Sequence, residues 1–151
     1  QKYNFKTINY WIVSIVCITF TKTDFIMENI VLTFGIIYGA LAICLGAFGA
    51  HLLKKYMSAE LLISFETGVK YQMYHAILLI VLSQLLNFDI NFSNYAVTLI
   101  IIGVILFSFS IYGLCLSATF GTKIKILGPI TPLGGLCLIT GWLCLLLANF
   151  N

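Results

Sequence analysis

The chain has 151 residues, of which 61% are apolar and 9% charged, against about 45–50% and about 25% in water-soluble domains. A soluble fold of this size would lack the polar surface to cover itself. The net charge of +3 comes from eight lysines and no arginine, which gives no support to nucleic-acid binding, since that needs basic clusters and usually arginine forks.

Four stretches carry no Asp, Glu, Lys or Arg: residues 29–53, 71–88, 90–122 and 126–151. A helix of about 20 residues, rising about 1.5 Å per residue, crosses a hydrocarbon core of about 30 Å and satisfies every backbone group where no water can. The pattern predicts an all-α polytopic membrane protein, a four-transmembrane-helix bundle with spans at about 30–53, 68–87, 95–117 and 131–149, forming one membrane domain over residues 27–151.

Residues 1–26 read differently. Lys2 and Lys6 precede an uncharged run of 15 residues, Thr7 to Thr21, which as a helix spans about 22 Å, short for a crossing. The start resembles a signal peptide, but Thr19, Phe20 and Thr21 are not a small-residue cleavage site. With Met27 just ahead of the first long span, residues 1–26 are expected to be an N-terminal extension outside the functional unit, with an extra short N-terminal helix as the alternative.

In the first span Gly35, Gly39, Ala42, Gly46 and Gly49 recur at steps of four and three, which sets them on one stripe and lets another backbone come close. Gly103, Ser110, Gly113 and Ser117 repeat the device in the third span, as do Gly134 and Gly141 in the fourth. These stripes hold the bundle together or, alternatively, form a seam between copies.

Polar residues gather at one end of the spans. His51 closes the first, and Glu66, Lys70, Tyr71, Gln72, Tyr74 and His75 open the second. Glu66 and Lys70 stand four apart with the acid first, the favourable order for a helical ion pair. Tyr71 and His75 are also four apart. His75 lies about 7.5 Å deeper than Lys70, where an ionisable group needs a partner. It is read either as a proton-carrying or ligand-contacting group or as a neutral, hydrogen-bonded histidine that fixes helix register.

Before the fourth span, Thr131 is expected as N-cap and Pro132 as first helical residue. Free backbone donors beside Lys123 and Lys125 would then form an anion or lipid-headgroup site. The five cysteines, Cys17, Cys44, Cys115, Cys137 and Cys144, contain no CxxC pair and no accompanying histidine pair. They read as apolar packing residues, and neither metal nor cofactor is expected.

Orientation follows from the lysines. Lys54, Lys55 and Lys70 lie between the first two spans and Lys123 with Lys125 between the last two, whereas the loop at residues 89–94 and the tail have none. The bias places the first and third loops in the cytoplasm.

Three segments carry a resemblance: Gly-Ala-Phe-Gly-Ala-His at 46–51, Phe-Glu-Thr-Gly-Val-Lys-Tyr-Gln-Met-Tyr-His-Ala at 65–76, and Leu-Gly-Pro-Ile-Thr-Pro-Leu-Gly-Gly at 127–135. Over residues 27–149 the chain resembles the domain of unknown function 423 family, small four-span bacterial inner-membrane proteins similar to the eukaryotic transmembrane protein 256. Phe109 stands where the family is expected to carry glycine. The resemblance implies a membrane bundle without an assigned activity and supplies no catalytic residues.

Function is therefore expected to be that of a membrane structural or interaction protein. Its cytoplasmic polar rim would bind the headgroups of membrane lipids or a membrane-protein partner, with a homo-oligomer as a further expectation. The alternative is a small proton-coupled transporter or channel using Glu66 and His75, although carriers are sparse in the outer halves of the spans. An enzyme has the least support, because no nucleophile constellation is present. The bacterial plasma (inner) membrane is the expected location, with a mitochondrial membrane as the alternative.

Overall fold

A computed structural model describes the backbone of residues 5–122 and 124–150, with side chains from Phe25 onward. In chain order it contains α1 (Phe5–His51), a 3-10 turn (Leu53–Lys55), α2 (Ala59–Leu85), α3 (Asn91–Val104), a π-helical segment (Ile105–Phe109), α4 (Ser110–Thr119) and α5 (Leu127–Ala148). No strand occurs among the described residues. Because α3, the π segment and α4 follow one another without a break, the described residues form four helical rods.

Among the described residues three stretches are long and apolar enough to cross a membrane: Phe25–Lys55, Asn91–Thr119 and Leu127–Ala148. The rod formed by α2 carries Glu60, Glu66 and Lys70 in its first half and is not among them. Helix α1 starts well before the first long charge-free run and continues unbroken through residues 21–29. That stretch holds neither glycine nor proline to end a helix, so one long helix stands where a separate short one was the alternative.

The turns have local causes. The Ser58 hydroxyl accepts from the Leu61 N–H at 3.4 Å and Glu60 occupies the first turn, a capped and charge-matched start for α2. Helix α4 ends at Gly121, whose φ of +77° is the only positive value among the described residues. Thr122 N–H then reaches the Ser117 carbonyl at 2.9 Å and Gly121 N–H the Ala118 carbonyl at 3.3 Å, the paired bonds of a left-handed helix terminator.

The start of α5 differs from expectation. The helix begins at Leu127 with Ile126 as its cap, so Thr131 is not the N-cap and Pro132 lies inside the helix. Pro129 falls in the first turn, where a missing N–H costs nothing. Pro132 leaves the Gly128 carbonyl without its usual donor, a defect that neighbouring helices make tolerable in membrane bundles.

Glycines set the helix pairs. A Cβ on Gly35 would meet Ile80 and the Ala76 carbonyl, and one on Gly49 would meet the Phe65 ring, so α1 lies directly along α2. Gly103 faces Leu138, Gly141 faces Ile100 and Ala96, and Gly134 abuts the backbone of Leu106 and Phe107, which sets α3 and the π segment against α5. One core gathers Val31, Leu79, Val97, Ile100, Val104 and Leu138. A second, around Met57, Phe65, Ile111, Tyr112 and Cys115, fills the end where α1 finishes and α2 begins.

Outside these cores the rods are apolar. Ile43, Leu85, Leu136 and Ile139 are all more than half exposed, a surface that suits hydrocarbon and would be a liability in water.

Candidate functional site

Gln72 has no exposed surface. Its Nε2 donates to the Tyr38 carbonyl of α1 at 2.9 Å, and its Oε1 accepts from the Tyr112 hydroxyl of α4 at 2.9 Å. Tyr38 continues the chain by donating from its own hydroxyl to the Ile101 carbonyl at 2.9 Å, the last turn of α3 before the helix widens. One connected set of bonds therefore ties three rods together. An unpaired amide at this depth would cost several kcal/mol, roughly the price of any bare polar group in hydrocarbon.

The π segment and the first residue of α4 supply two more links. The Ser108 hydroxyl, fully buried, donates to the Gly68 carbonyl at 2.9 Å. Ser110 donates to the Phe107 carbonyl at 2.9 Å and stands 2.7 Å from the Thr131 hydroxyl of α5. A Cβ on Gly68 would lie 2.8 Å from the Tyr112 ring and 3.4 Å from the Ser108 carbonyl, so the glycine is what lets the widened turn approach α2.

His75 is buried, 6% exposed. Its Nδ1 lies 2.8 Å from the Tyr71 carbonyl, which can only accept, and Trp142 Nε1–H, which can only donate, points at Nε2 from 3.4 Å. These partners assign the proton to Nδ1 and leave a lone pair on Nε2, a neutral ring. A second proton would face the indole donor head-on. Tyr71 stacks on the imidazole at 6.2 Å and tilts against Phe107 at 4.8 Å. With Leu138, Ile139 and Trp142 these rings enclose an apolar pocket of about 260 Å³.

The other rim residues do not join His75. Glu66 and Lys70 form an exposed pair at 3.7 Å, worth little on a surface. His51 ends α1 and is exposed. Gly49 packs at Phe65, and His75 lies ten residues further along α2, about 15 Å, so the two histidines do not share a site. Tyr74 is exposed and contacts Tyr71.

The groups expected to form an anion site at Lys123, Lys125 and Thr131 are arranged differently from that expectation. Leu127 N–H is already bonded to the Ile124 carbonyl and Gly128 N–H to the Lys125 carbonyl, and Pro129 has none, so the first turn has few backbone donors left for an anion. The Thr131 hydroxyl is engaged with Ser110. Lys123 lies outside the described residues, and Lys125 is exposed.

The glycines named from spacing each have a neighbour within the bundle. Gly39 lies over Ala76, Gly46 over Val69 and Gly113 over Leu127. Cys44, Cys115, Cys137 and Cys144 are free thiols. No cluster of three His, Cys, Asp or Glu side chains forms among the described residues. Sequence reasoning missed Tyr38, Ser108, Tyr112 and Trp142. Their only signal was a polar tip in mid-span that needs a partner.

With this geometry in hand, comparison with known proteins adds a family. A family model described as "Protein of unknown function (DUF423)" matches residues 45–135. A UPF0382 membrane protein of Staphylococcus haemolyticus is 42% identical over 120 residues, covering 77% of this chain and 94% of the relative. Another from Bacillus subtilis is 41% identical, covering 76% and 90%. One from Schizosaccharomyces pombe is 40% identical, covering 72% and 91%. No solved structure matches the chain.

Proposed function

The chain belongs to the DUF423 family of membrane proteins, and from that premise we propose a four-span protein of the bacterial plasma membrane with a structural or interaction role. Its lysine-bearing end faces the cytoplasm and binds lipid headgroups or a membrane-protein partner. Helix α2 serves as the fourth span: its 27 residues are long enough for a crossing, its charges are confined to its first half, and it packs along α1 from Gly35, at Ile80, to Gly49, at Phe65.

One observation carries this reading. The polar groups at the centre of the bundle, Gln72, Tyr38, Tyr112 and Ser108, are spent on one another and on backbone carbonyls, and His75 is held neutral between Tyr71 and Trp142. Among the described residues the buried side-chain oxygens without a partner, Ser93 Oγ and Asn94 Oδ1, sit in the first turn of α3. A proton path needs carriers that change charge along its length. The network found here suits a rigid, static bundle instead.

The charge distribution supports the orientation. Lys54, Lys55, Lys70 and Lys125 stand with Glu60 and Glu66 at one end, and Glu28 and Asp89 are the charged residues at the other among the described side chains. Bacterial relatives in the genera Staphylococcus and Bacillus favour the plasma membrane over the mitochondrial alternative.

The test is proton flux into liposomes under a pH gradient, comparing the full chain with Glu66→Gln, His75→Ala and empty vesicles. No flux above empty vesicles is expected. Flux that either substitution abolishes in a folded protein would replace the structural reading with a proton-coupled carrier.

A further inference from the structure

Where α2, α4 and α5 meet at the lysine-bearing end they leave an open cleft of about 520 Å³, within the range of about 300–1,000 Å³ typical of small-molecule sites. Its floor is apolar, built from Ile111, Leu114 and Ala118. In a bilayer such a floor faces acyl chains rather than water.

The rim of the cleft has an unusual polarity. Ser64, Thr67 and Thr131 line it, and each has already committed its single O–H. Ser64 donates to the Glu60 carbonyl at 3.0 Å, Thr67 to the Ile63 carbonyl at 3.0 Å, and Thr131 is engaged with Ser110 at 2.7 Å or the Leu127 carbonyl at 3.4 Å. What these hydroxyls still offer is lone pairs. Gly128 also lines the cleft, and its carbonyl lacks a Pro132 N–H. The rim therefore accepts hydrogen bonds and asks for a ligand that donates them.

Charge supplies the second requirement. Among the described residues the carboxylate pairing at this end is Glu66 with Lys70, leaving Lys54, Lys55 and Lys125 against Glu60. Lys125 stands one turn before Gly128, whose N–H it holds through its carbonyl at 3.1 Å. A site with an apolar floor, hydrogen-bond acceptors on its rim and a cation beside it matches a lipid with an acyl chain, a hydroxyl-bearing headgroup and a phosphate.

We propose that this cleft binds one anionic glycerophospholipid of the phosphatidylglycerol type, with an acyl chain on the Ile111–Ala118 floor, headgroup hydroxyls at Ser64, Thr67 and Gly128, and phosphate at Lys125. The inference rests on the lipid-headgroup reading above and gives it a lipid class and a seat. The experiment uses the full chain in mild detergent with equal amounts of dioleoylphosphatidylglycerol and dioleoylphosphatidylcholine, counting retained lipids by native mass spectrometry. Lys125→Ala removes the phosphate partner. Gly128→Phe sets a ring in the cleft at a position where an added Cβ meets nothing within 4 Å. A phosphatidylglycerol with a photoreactive diazirine at its chain end, mapped by peptide mass spectrometry, locates the chain independently.

Retention of phosphatidylglycerol over phosphatidylcholine is expected, reduced about fivefold by Lys125→Ala, the worth of one interfacial lysine, and about tenfold or more by Gly128→Phe. Adducts are expected within residues 111–118 and 128–132. Unchanged retention in Gly128→Phe, with adducts spread over Ile43 and Trp142, would overturn the cleft while a persisting Lys125 effect kept the headgroup reading. Equal retention of both lipids in every form would end both. Should Gly128→Phe fail to fold, the adduct map decides alone.

Discussion

The Tyr112 hydroxyl donates to Gln72 Oε1 at 2.9 Å inside the bundle, with Gln72 fully buried. Removing one partner leaves the other unsatisfied where no water can replace it. Tyr112→Phe and Gln72→Leu are each expected to destabilise the folded protein by about 1–2 kcal/mol. The double variant should lose less than the sum by about 1 kcal/mol, because both single changes break the same bond. Unfolding in mixed detergent provides the cycle. Strict additivity would mean that the two side chains do not meet.

Much of the fold is legible in the sequence because hydrocarbon enforces it. Charge-free runs correspond to helical rods, since a bilayer admits few other backbone arrangements, and the step of four and three in Gly35, Gly39, Ala42, Gly46 and Gly49 marks one helix face. Which helix meets that face is a tertiary fact, and the spacing of α1 alone does not point to Ala76 and Ile80. The π segment at Ile105–Phe109 left no trace either, because one extra residue in a turn changes no composition. The misplaced start of α5 has a plain cause. Thr131 followed by Pro132 carries a cap signature, and only packing of the preceding turn against Gly113 through Leu127 extends the helix back past it. At His75, sequence could name a titratable group but not the Trp142 donor, 67 positions away.

Close backbone approach makes Gly134 the least replaceable glycine. A Cβ there would run into the backbone of Leu106 and Phe107, which cannot turn aside as a side chain can. Gly134→Ala is expected to cost about 1–3 kcal/mol through separation of α5 from the π segment. Gly128→Ala, with open space around its Cβ, should be neutral or stabilising by up to about 1 kcal/mol through helix propensity. Thermal unfolding of the two variants side by side gives the comparison, and equal losses would contradict the packing described.

The partners of His75 fix its tautomer. Nitrogen-15 NMR of histidine-labelled protein is expected to show a protonated Nδ1 and an unprotonated Nε2 near neutral pH. Trp142→Phe removes a long bond, 3.4 Å, from a residue that is 53% exposed, so it should destabilise by under about 1 kcal/mol. The neutral ring should persist in that variant because the Tyr71 carbonyl still accepts from Nδ1. Resonances of a doubly protonated imidazole at neutral pH would refute the assignment and reopen proton transfer through this position.

The widened turn predicts where the third rod tolerates loss of a residue. A π turn closes its bonds one residue further along than an α turn, so it holds one residue more than the straight helix needs. Phe109 lies in that turn and is 40% exposed. Deleting Phe109 is expected to convert the segment to α-helix while keeping Gly103 on Leu138 and Tyr112 on Gln72. Deleting Leu99 or Leu116 instead would rotate the adjoining segment by about 100°, one residue's share of a 3.6-residue turn, and carry its buried face away from its neighbours. Yield of folded protein and unfolding temperature should thus fall far less for the Phe109 deletion than for either control. Equal losses at all three positions would show that the turn is not a spare residue absorbed in the helix but part of the packing itself.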